Sequence, residues 1–440
     1  MFASLNNINI LLNLFKYKFS KEADYMTLIK TSFYTSISQF LTIIAGLIGV
    51  KVVASKIGPE GIAMTGQFFN TTAILSLFAT GAISTAIVKY LAEYKDDKVM
   101  QLKIIRAAFV IMLSCSIIIG LSVILASNYL SKQLFKTDAY SVVYVLWGTF
   151  LVITSLSGLF GSVLNGLKLI SYLTIVNITG TVAGLIITIV LAQFYGVYGV
   201  LVAVNFTSLV LLLLHIYFLN KYKWFAFKDL FGYIDRGVFR LFSGFIVMTL
   251  ASGILVPAIQ LLVRDKIVRD FSFQDAGYWQ SVTRISDYYL GFITSVLAIY
   301  YLPRLSEIKE KHELHLEIKQ GYKIILPIVA GLSLLIWLFR FFIIKLLFTN
   351  EFLPSETLYG FQFLGDFFKI ASWLLAYLML ARGMKVIFIV SEIAYSLIYV
   401  GLCFLFINKF GLIGAVYGFC ASYFMYLIGM YIVMSKKQII

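Results

Sequence analysis

The chain has 440 residues, of which 60% are hydrophobic and 13% charged, and its mean hydropathy is +0.91. A soluble protein of this length needs far more polar surface, so the composition predicts a polytopic membrane protein. The formal net charge is +15. The basic residues lie in short pieces between apolar runs, which excludes nucleic acid as an expected partner.

About twelve apolar segments reach the roughly 20 residues that a helix needs to cross a bilayer. They lie near residues 25–54, 62–90, 104–126, 139–162, 171–192, 197–219, 238–262, 276–302, 322–348, 357–381, 386–407 and 412–434. The predicted fold class is therefore an all-α membrane protein. Lys and Arg residues outside these segments are concentrated in alternate loops and in both tails, which predicts that both termini are cytoplasmic.

The sequence has no motif that predicts a metal, nucleotide or cofactor site. The cysteines Cys115, Cys403 and Cys420 lie inside apolar runs without metal-ligand spacing. His312 and His315 share a charged loop that offers no further ligand, so no metal site is predicted. The chain has no Walker phosphate-binding motif and no predicted extramembrane domain, so ATP is not expected to drive it and no cofactor is predicted.

The two halves of the sequence resemble each other at an offset of about 216 residues. Matching positions are Gly61 and Gly277, Lys89 and Arg304, Gly166 and Gly383, and Gly196 and Gly411. Six helices in each half give both halves the same orientation, with a transport path between them. The predicted organisation is a cytoplasmic tail (1–24) without a signal-peptide cleavage site, a six-helix bundle (25–219), a cytoplasmic linker (220–237), a second six-helix bundle (238–434) and a cytoplasmic tail (435–440).

Ionisable residues inside the predicted spans are the main functional signal. Arg284 and Asp287 lie three residues apart, so on a helix they share a face and can pair. Such residues usually face a wet cavity rather than lipid, although the pair could instead lock two helices together. Asp366 and Lys369 repeat this spacing, with a helix-to-helix clasp as the alternative, and Glu392 has no cation one turn away.

The first half offers a different set of polar residues. Gln67 and Asn70 belong to the helix that matches the Arg284 segment, and they are polar but uncharged. Lys30, Lys51 and Lys89 lie near span ends, where the alternative is that they extend toward the headgroups. A cavity with one hydrogen-bonding wall and one cationic wall suits a sugar chain attached to a phosphate. The many Phe and Tyr residues are expected to face lipid or fill cores.

Several motifs spread along the chain carry a family resemblance. They are Gly58-Pro59-Glu60-Gly61, Lys89-Tyr90 with Glu93, Trp279-Gln280 followed by Ile285-Ser286-Asp287, Leu302-Pro303 with Leu305-Ser306, Gly365-Asp366 with Lys369, and Glu392. With these motifs the chain resembles the Wzx-type flippases of the multidrug/oligosaccharidyl-lipid/polysaccharide exporter superfamily. Within that family it most resembles the lipid III flippases of enterobacterial common antigen synthesis.

The resemblance implies a V-shaped, MATE-like fold with the first, second, seventh and eighth helices around a central cavity. It implies a substrate of undecaprenyl diphosphate bearing an oligosaccharide. It also places Arg264 at a position that matches the subgroup, together with most of the charged residues above. Arg284 departs from the subgroup, where a small polar residue stands.

The sequence therefore predicts a flippase of the bacterial inner membrane, not an enzyme. It would move an undecaprenyl-diphosphate-linked oligosaccharide, an O-antigen unit or lipid III, from the cytoplasmic to the periplasmic leaflet. The predicted substrate-binding residues are Lys30, Lys51, Lys89, Arg264, Arg284, Gln67 and Asn70. The predicted ion-coupling or structural charges are Asp287, Asp366, Lys369 and Glu392.

The expected partners are the lipid-linked substrate, membrane lipids, and polysaccharide polymerase and chain-length regulator proteins. One alternative function is a multidrug or peptidoglycan-precursor exporter of the same superfamily. A glycan polymerase or ligase is the alternative from another class. The short outer loops disfavour it, because they hold no site large enough for its chemistry.

Overall fold

The structure is a computed structural model. It describes the backbone of residues 2–222, 227–232 and 235–436. Side chains are described from Ser38 onward, apart from residues 223–228, 233–234, 236, 247–248, 251–252, 299, 385 and 437–440.

Within these ranges every regular element is helical. The fourteen α-helices are α1 (Phe2–Ala79), α2 (Ser84–Glu93), α3 (Lys98–Leu125), α4 (Ser127–Phe135), α5 (Ser141–Gly166), α6 (Ile170–Lys221), α7 (Arg236–Asp270), α8 (Phe273–Val296), α9 (Leu302–Glu307), α10 (Lys311–Leu338), α11 (Arg340–Leu347), α12 (Tyr359–Ala381), α13 (Lys385–Phe410) and α14 (Gly414–Lys436). Shorter 3₁₀ turns lie at Phe227–Leu230, Asn350–Leu358 and Gly411–Ile413, and a π turn at Leu297–Tyr301 joins α8 to α9.

Among the described residues, seven helical stretches are long and apolar enough to cross a bilayer. Three of them span 42, 52 and 51 residues, about twice what one crossing needs. Each contains a glycine at positive φ where the helix bends or breaks: Gly58, Gly196 and Gly411. Each therefore holds two crossings. The helices α7 and α8 are also long enough but carry several charges. The predicted all-α fold with about twelve spanning helices is confirmed.

The predicted internal repeat appears as the same turn in both halves. Gly196 has φ 56° and Gly411 has φ 71°, and only glycine adopts that region at little cost. Three residues later, a Cβ added to Gly199 or to Gly414 would lie 2.0 or 2.1 Å from a carbonyl oxygen of the preceding helical segment. The same backbone geometry thus recurs at an offset of about 215 residues.

The apolar cores cross the predicted boundary between the halves. The first-half core, built on α2, α3, α5 and α6, also takes in Val238 and Phe242 from the start of α7. The second-half core likewise includes Val50 and Val53 of α1. The two halves are therefore packed onto each other through α1 and α7 at least, rather than joined by the linker alone.

Polar and backbone contacts join the halves at one end of the bundle. Lys136 Nζ lies 3.0 Å from an Asp265 carboxylate oxygen. Lys51 Nζ donates to the Lys345 carbonyl oxygen at 2.8 Å. A Cβ added to Gly277 would lie 2.0 Å from a carbonyl oxygen of the first half, that of Pro59. We call this set of contacts the outer junction, following the predicted orientation.

Candidate functional site

A cavity of about 350 Å³ lies between the halves, on the inner side of the outer junction. The part of α1 that follows the Gly58 bend forms one wall, and α7, α8, α12, α13 and α14 form the rest. Its polar and charged lining residues are Asn70, Gln260, Arg264, Gln280, Thr283, Arg284, Ser286, Asp287, Gln362 and Lys369.

Arg264 is the most buried cation of the cavity wall, with no exposed surface. Its guanidinium donates to Gln67 Oε1 at 3.2 Å and to Gln280 Oε1. The amide of Asn70, with its oxygen turned toward the guanidinium, lies 3.2 Å from both Nη atoms. Gly66 leaves room for this group, because a Cβ there would lie 3.0 Å from the Arg264 Cζ.

All of these Arg264 partners are neutral. No ion pair to a carboxylate is found for Arg264 within the described residues. Its Nε atom has no hydrogen-bond partner among the described residues, and the Trp279 ring centroid lies 5.6 Å from the guanidinium carbon. A buried cation whose hydrogen bonds go only to amides keeps its full charge available to an anion.

Two further cations border the same cavity. Arg284 lies on the α8 wall and Lys369 on the α12 wall. The Lys369 ammonium lies 5.4 Å from the Trp373 ring centroid and 5.8 Å from that of Tyr423, which is cation–π range. Neither cation forms an ion pair in the described part of the chain. The wall is therefore predominantly cationic.

The carboxylates do not pair as their spacing predicts. Asp287 is exposed to the cavity, within electrostatic range of Lys369 and Arg284, but it forms no ion pair with either. Asp366 is fully buried and lies within electrostatic range of Lys369, but the two do not form an ion pair. It accepts hydrogen bonds from Ser286 Oγ at 2.6 and 2.7 Å and from Tyr289 Oη at 2.7 Å, which joins α12 to α8.

Glu392 also finds a partner that its sequence neighbourhood did not reveal. Its Oε1 accepts a hydrogen bond from Tyr426 Oη of α14 at 2.7 Å. It lies within electrostatic range of Lys369 as well. Within the described residues neither i, i+3 pair comes within ion-pair distance, and Asp366 is bonded instead by Ser286 and Tyr289 of α8. The ion-coupling or structural roles of these charges stay predictions.

Two of the other predicted substrate ligands lie away from the cavity. Lys51 belongs to the outer junction, where its ammonium also donates to the Phe348 carbonyl at the end of α11. Lys89 lies 3.8 Å from Glu93 and over the ring of Phe245, and its side chain is half exposed. A substrate role for these two lysines stays a prediction. Lys30 lies outside the residues whose side chains the structure describes.

An aromatic wall was missed by reasoning from the sequence, which expected Phe and Tyr to face lipid or fill cores. Tyr395 stacks on Tyr399 at 5.9 Å and lies 4.5 Å from Tyr423. These tyrosines, together with Trp373 and Phe419, line the cavity. The available signal was the spacing of four residues between Tyr395 and Tyr399 and between Phe419 and Tyr423, which puts each pair on one helix face.

Residues 28–309 match the family model described as "Polysaccharide biosynthesis protein". The chain belongs to this family. The chain is 28% identical over 410 residues to the Lipid III flippase of Escherichia coli (strain K12), an alignment that covers 91% of this chain and 96% of that protein. The Lipid III flippase of Shigella flexneri gives the same figures.

Solved structures place the family member described here in a known transporter fold. An inward-facing multidrug resistance MATE family transporter of the MOP superfamily superposes with a TM-score of 0.72 at 16% identity, covering 90% of this chain and 94% of that one. The lipid II flippase MurJ in an inward closed conformation gives 0.71 at 15% identity, covering 92% and 87%. The predicted MATE-like fold is confirmed by these likenesses.

Proposed function

We propose that this protein translocates a polyprenyl-diphosphate-linked oligosaccharide from the cytoplasmic to the periplasmic leaflet of the bacterial inner membrane. The similarity to lipid III flippases over nearly the whole chain supports the substrate class. The observation that carries the proposal is the cationic cavity wall. Arg264, Arg284 and Lys369 face a cavity whose lining includes one exposed carboxylate, Asp287.

The wall chemistry suits a diphosphate. A diphosphate that leaves water needs its charge neutralised, because an unpaired charge in a low-dielectric interior is prohibitive. Arginine's planar guanidinium bonds phosphate oxygens in a bidentate way, and lysine adds a point charge. A diphosphate oxygen would replace the Gln67 and Asn70 amides around Arg264, and Arg284 and Lys369 would bind the remaining oxygens. The displaced Gln67 and Asn70 amides would then form hydrogen bonds with each other or with sugar hydroxyls of the substrate.

Direction follows from charge and from the contacts between the halves. With both termini cytoplasmic, the outer junction closes the periplasmic side, so the described conformation corresponds to the state that loads from the cytoplasm. Rocking of the halves would open the other side. A membrane potential negative inside assists an outward-moving anion by about 2.3 kcal/mol per charge per 100 mV. The released lipid-linked unit would then reach the polymerase and chain-length regulator proteins.

The test is complementation of a strain that lacks the gene. We expect loss of a surface polysaccharide and accumulation of its undecaprenyl-diphosphate-linked repeat unit on the cytoplasmic side, both reversed by the wild-type chain. Chemical analysis of the accumulated lipid identifies the glycan. Lysis with accumulated peptidoglycan precursor, or drug sensitivity with normal glycans, would refute the proposal in favour of another exporter of the superfamily.

A further inference from the structure

A second recess lies outside the cavity, on the membrane-facing surface of the second half. It is a groove of about 520 Å³ between α10, α12 and α14. Its apolar and aromatic walls are Ile318, Tyr322, Leu375, Leu427, Ile428 and Tyr431. The helix α10 forms one side of this groove and contributes no side chain to the lining of the cavity described above.

One end of the groove carries a basic stripe on α10. Lys311, His315, Lys319 and Lys323 follow one another at intervals of four residues, so each is the neighbour of the next on the helix surface. All of them are exposed, and His315 and Lys319 border the groove itself. The stripe therefore presents positive charge at the mouth of an apolar recess.

The acidic residues of the same turns do not neutralise this stripe. Glu313 and Glu317 lie on another face, where both pair with Arg304 at 3.2 and 3.4 Å. No ion pair is found for Lys319 or for its neighbouring lysines in the stripe within the described part of the chain. Among the residues that the structure describes, the groove end therefore has no counter-charge in ion-pair contact.

The surroundings of the groove are those of a membrane surface. Leu316 and Ile324 of α10 are each 51% exposed, and Tyr431 of α14 is 59% exposed. Large apolar side chains at such exposure are expected to meet lipid tails. The basic stripe and these apolar side chains lie along the same helix, so a lipid in the groove would meet positive charge and apolar surface together.

We propose that the groove binds one anionic phospholipid. An acyl chain fills the space between α10, α12 and α14, and the phosphate lies against Lys319 and His315. Charge complementarity selects an anionic headgroup, since a zwitterionic one brings its own cation to the stripe. The diphosphate of the proposed substrate is assigned to the cavity, so the headgroup here comes from the bulk membrane. Contacts of this kind tie α10 to the α12–α14 pair.

The probe is phosphatidylglycerol, compared with phosphatidylcholine of the same acyl chains, added to the purified full chain and followed by native mass spectrometry and thermal unfolding. We expect one phosphatidylglycerol to be retained and to raise the unfolding temperature more than phosphatidylcholine does. Lys319 near an anionic headgroup gives a preference of roughly fivefold, and protonated His315 adds to it. The double variant Lys319→Gln with His315→Gln should lose that preference, and Leu427→Trp should reduce binding of both lipids.

The matched control is Lys221→Gln, which removes an exposed lysine at the end of α6, far from the groove in sequence. It should bind as the wild type does. If Leu427→Trp does not fold, Ile428→Phe fills the same groove. Unchanged selectivity in the double variant, or unchanged retention in the filled variants, would reduce the observation to bulk lipid association and overturn the proposal. Displacement of the lipid by undecaprenyl phosphate but not by phosphatidylglycerol would assign the groove to the substrate's tail instead.

Discussion

Replacing Arg264 by Met tests the cationic cavity most directly. Met keeps much of the side-chain length and fills the buried space, but it removes the charge and the donors to Gln67 and Gln280. If the guanidinium holds the diphosphate through two charge-assisted hydrogen bonds, the loss is about 2–4 kcal/mol of binding free energy. That corresponds to roughly 30-fold to 900-fold weaker substrate binding.

Stability should respond much less than binding. The variant leaves up to three buried amide oxygens without a donor, at about 1–3 kcal/mol each. It also relieves the burial of a cation without a counter-charge, a penalty of several kcal/mol. These terms oppose each other, so we expect an unfolding temperature close to that of the wild type. Loss of transport without loss of folding separates a substrate ligand from a structural residue.

The assay combines complementation with binding of a purified polyprenyl-diphosphate sugar to the chain in nanodiscs. Arg264→Lys should retain part of the affinity, because it keeps the charge but not the planar fork. Arg340→Met is the control. Arg340 forms an ion pair with Glu356 at 3.0 Å, and neither residue lines the cavity. Wild-type binding and transport by Arg264→Met would refute the assignment of the diphosphate to this wall.

Three further predictions concern the contacts between and beside the halves. Gly277→Ala should lower the unfolding temperature, because its Cβ would lie 2.0 Å from the Pro59 carbonyl oxygen and overpacking costs about 1–3 kcal/mol. Lys51→Met should loosen the outer junction, which would raise labelling of a cysteine placed at the end of α11 by a membrane-impermeant maleimide. The hydrogen bond from Lys103, followed by that from the Gly237 amide, lowers the pKa of Asp235. These contacts of Asp235 therefore stabilise the fold fully above the ordinary aspartate pKa near 3.8. The stabilisation is lost as the pH falls through the lowered pKa. Protection from hydrogen exchange at the start of α7, measured relative to the intrinsic exchange rate at each pH, should accordingly fall below about pH 4 in the wild type.

Each of these predictions has a matched comparison on the same chain. Gly291→Ala, also on α8, adds a Cβ into open space and should leave the unfolding temperature unchanged. Lys56→Met removes an exposed lysine near the same end and should not alter the labelling. Asp235→Asn should remove the acid-dependent step in exchange. An equal effect of target and comparison variants, or an exchange step that persists in Asp235→Asn, would contradict the physical reasoning in each case.

The fold was predictable from the sequence because the bilayer constrains it strongly. Apolar runs of spanning length must form helices, since no water is available to bond exposed backbone groups. The repeat was predictable from Gly196 and Gly411, because the backbone at these two junctions combines positive φ with ψ of −132° and −152°, which only glycine adopts at little cost. Hydropathy and glycine placement thus determined most of the architecture.

Partner choice in the site was much harder to predict. Spacing along one helix puts Arg284 and Asp287 on one face, and both line the cavity, but spacing could not tell that Asp366 would bond Ser286 and Tyr289 of another helix. Such partners depend on which helices become neighbours and at what rotation, and periodicity carries neither. For the same reason the sequence could not predict the hydrogen-bond acceptors of Lys51. One of them, the Lys345 carbonyl oxygen, lies 294 residues further along the chain.

The close approach of Gly277 to Pro59 has a mechanical consequence. At this one point of the outer junction backbone meets backbone, so no side-chain rotamer there can absorb a displacement, whereas the Lys136–Asp265 and Lys51 contacts beside it can change shape. Relative motion there is limited to turning, and displacement grows with distance from the point of touch. The far ends of the two halves then travel furthest for a given rotation, so a small tilt at this fulcrum opens a wide mouth at the opposite face.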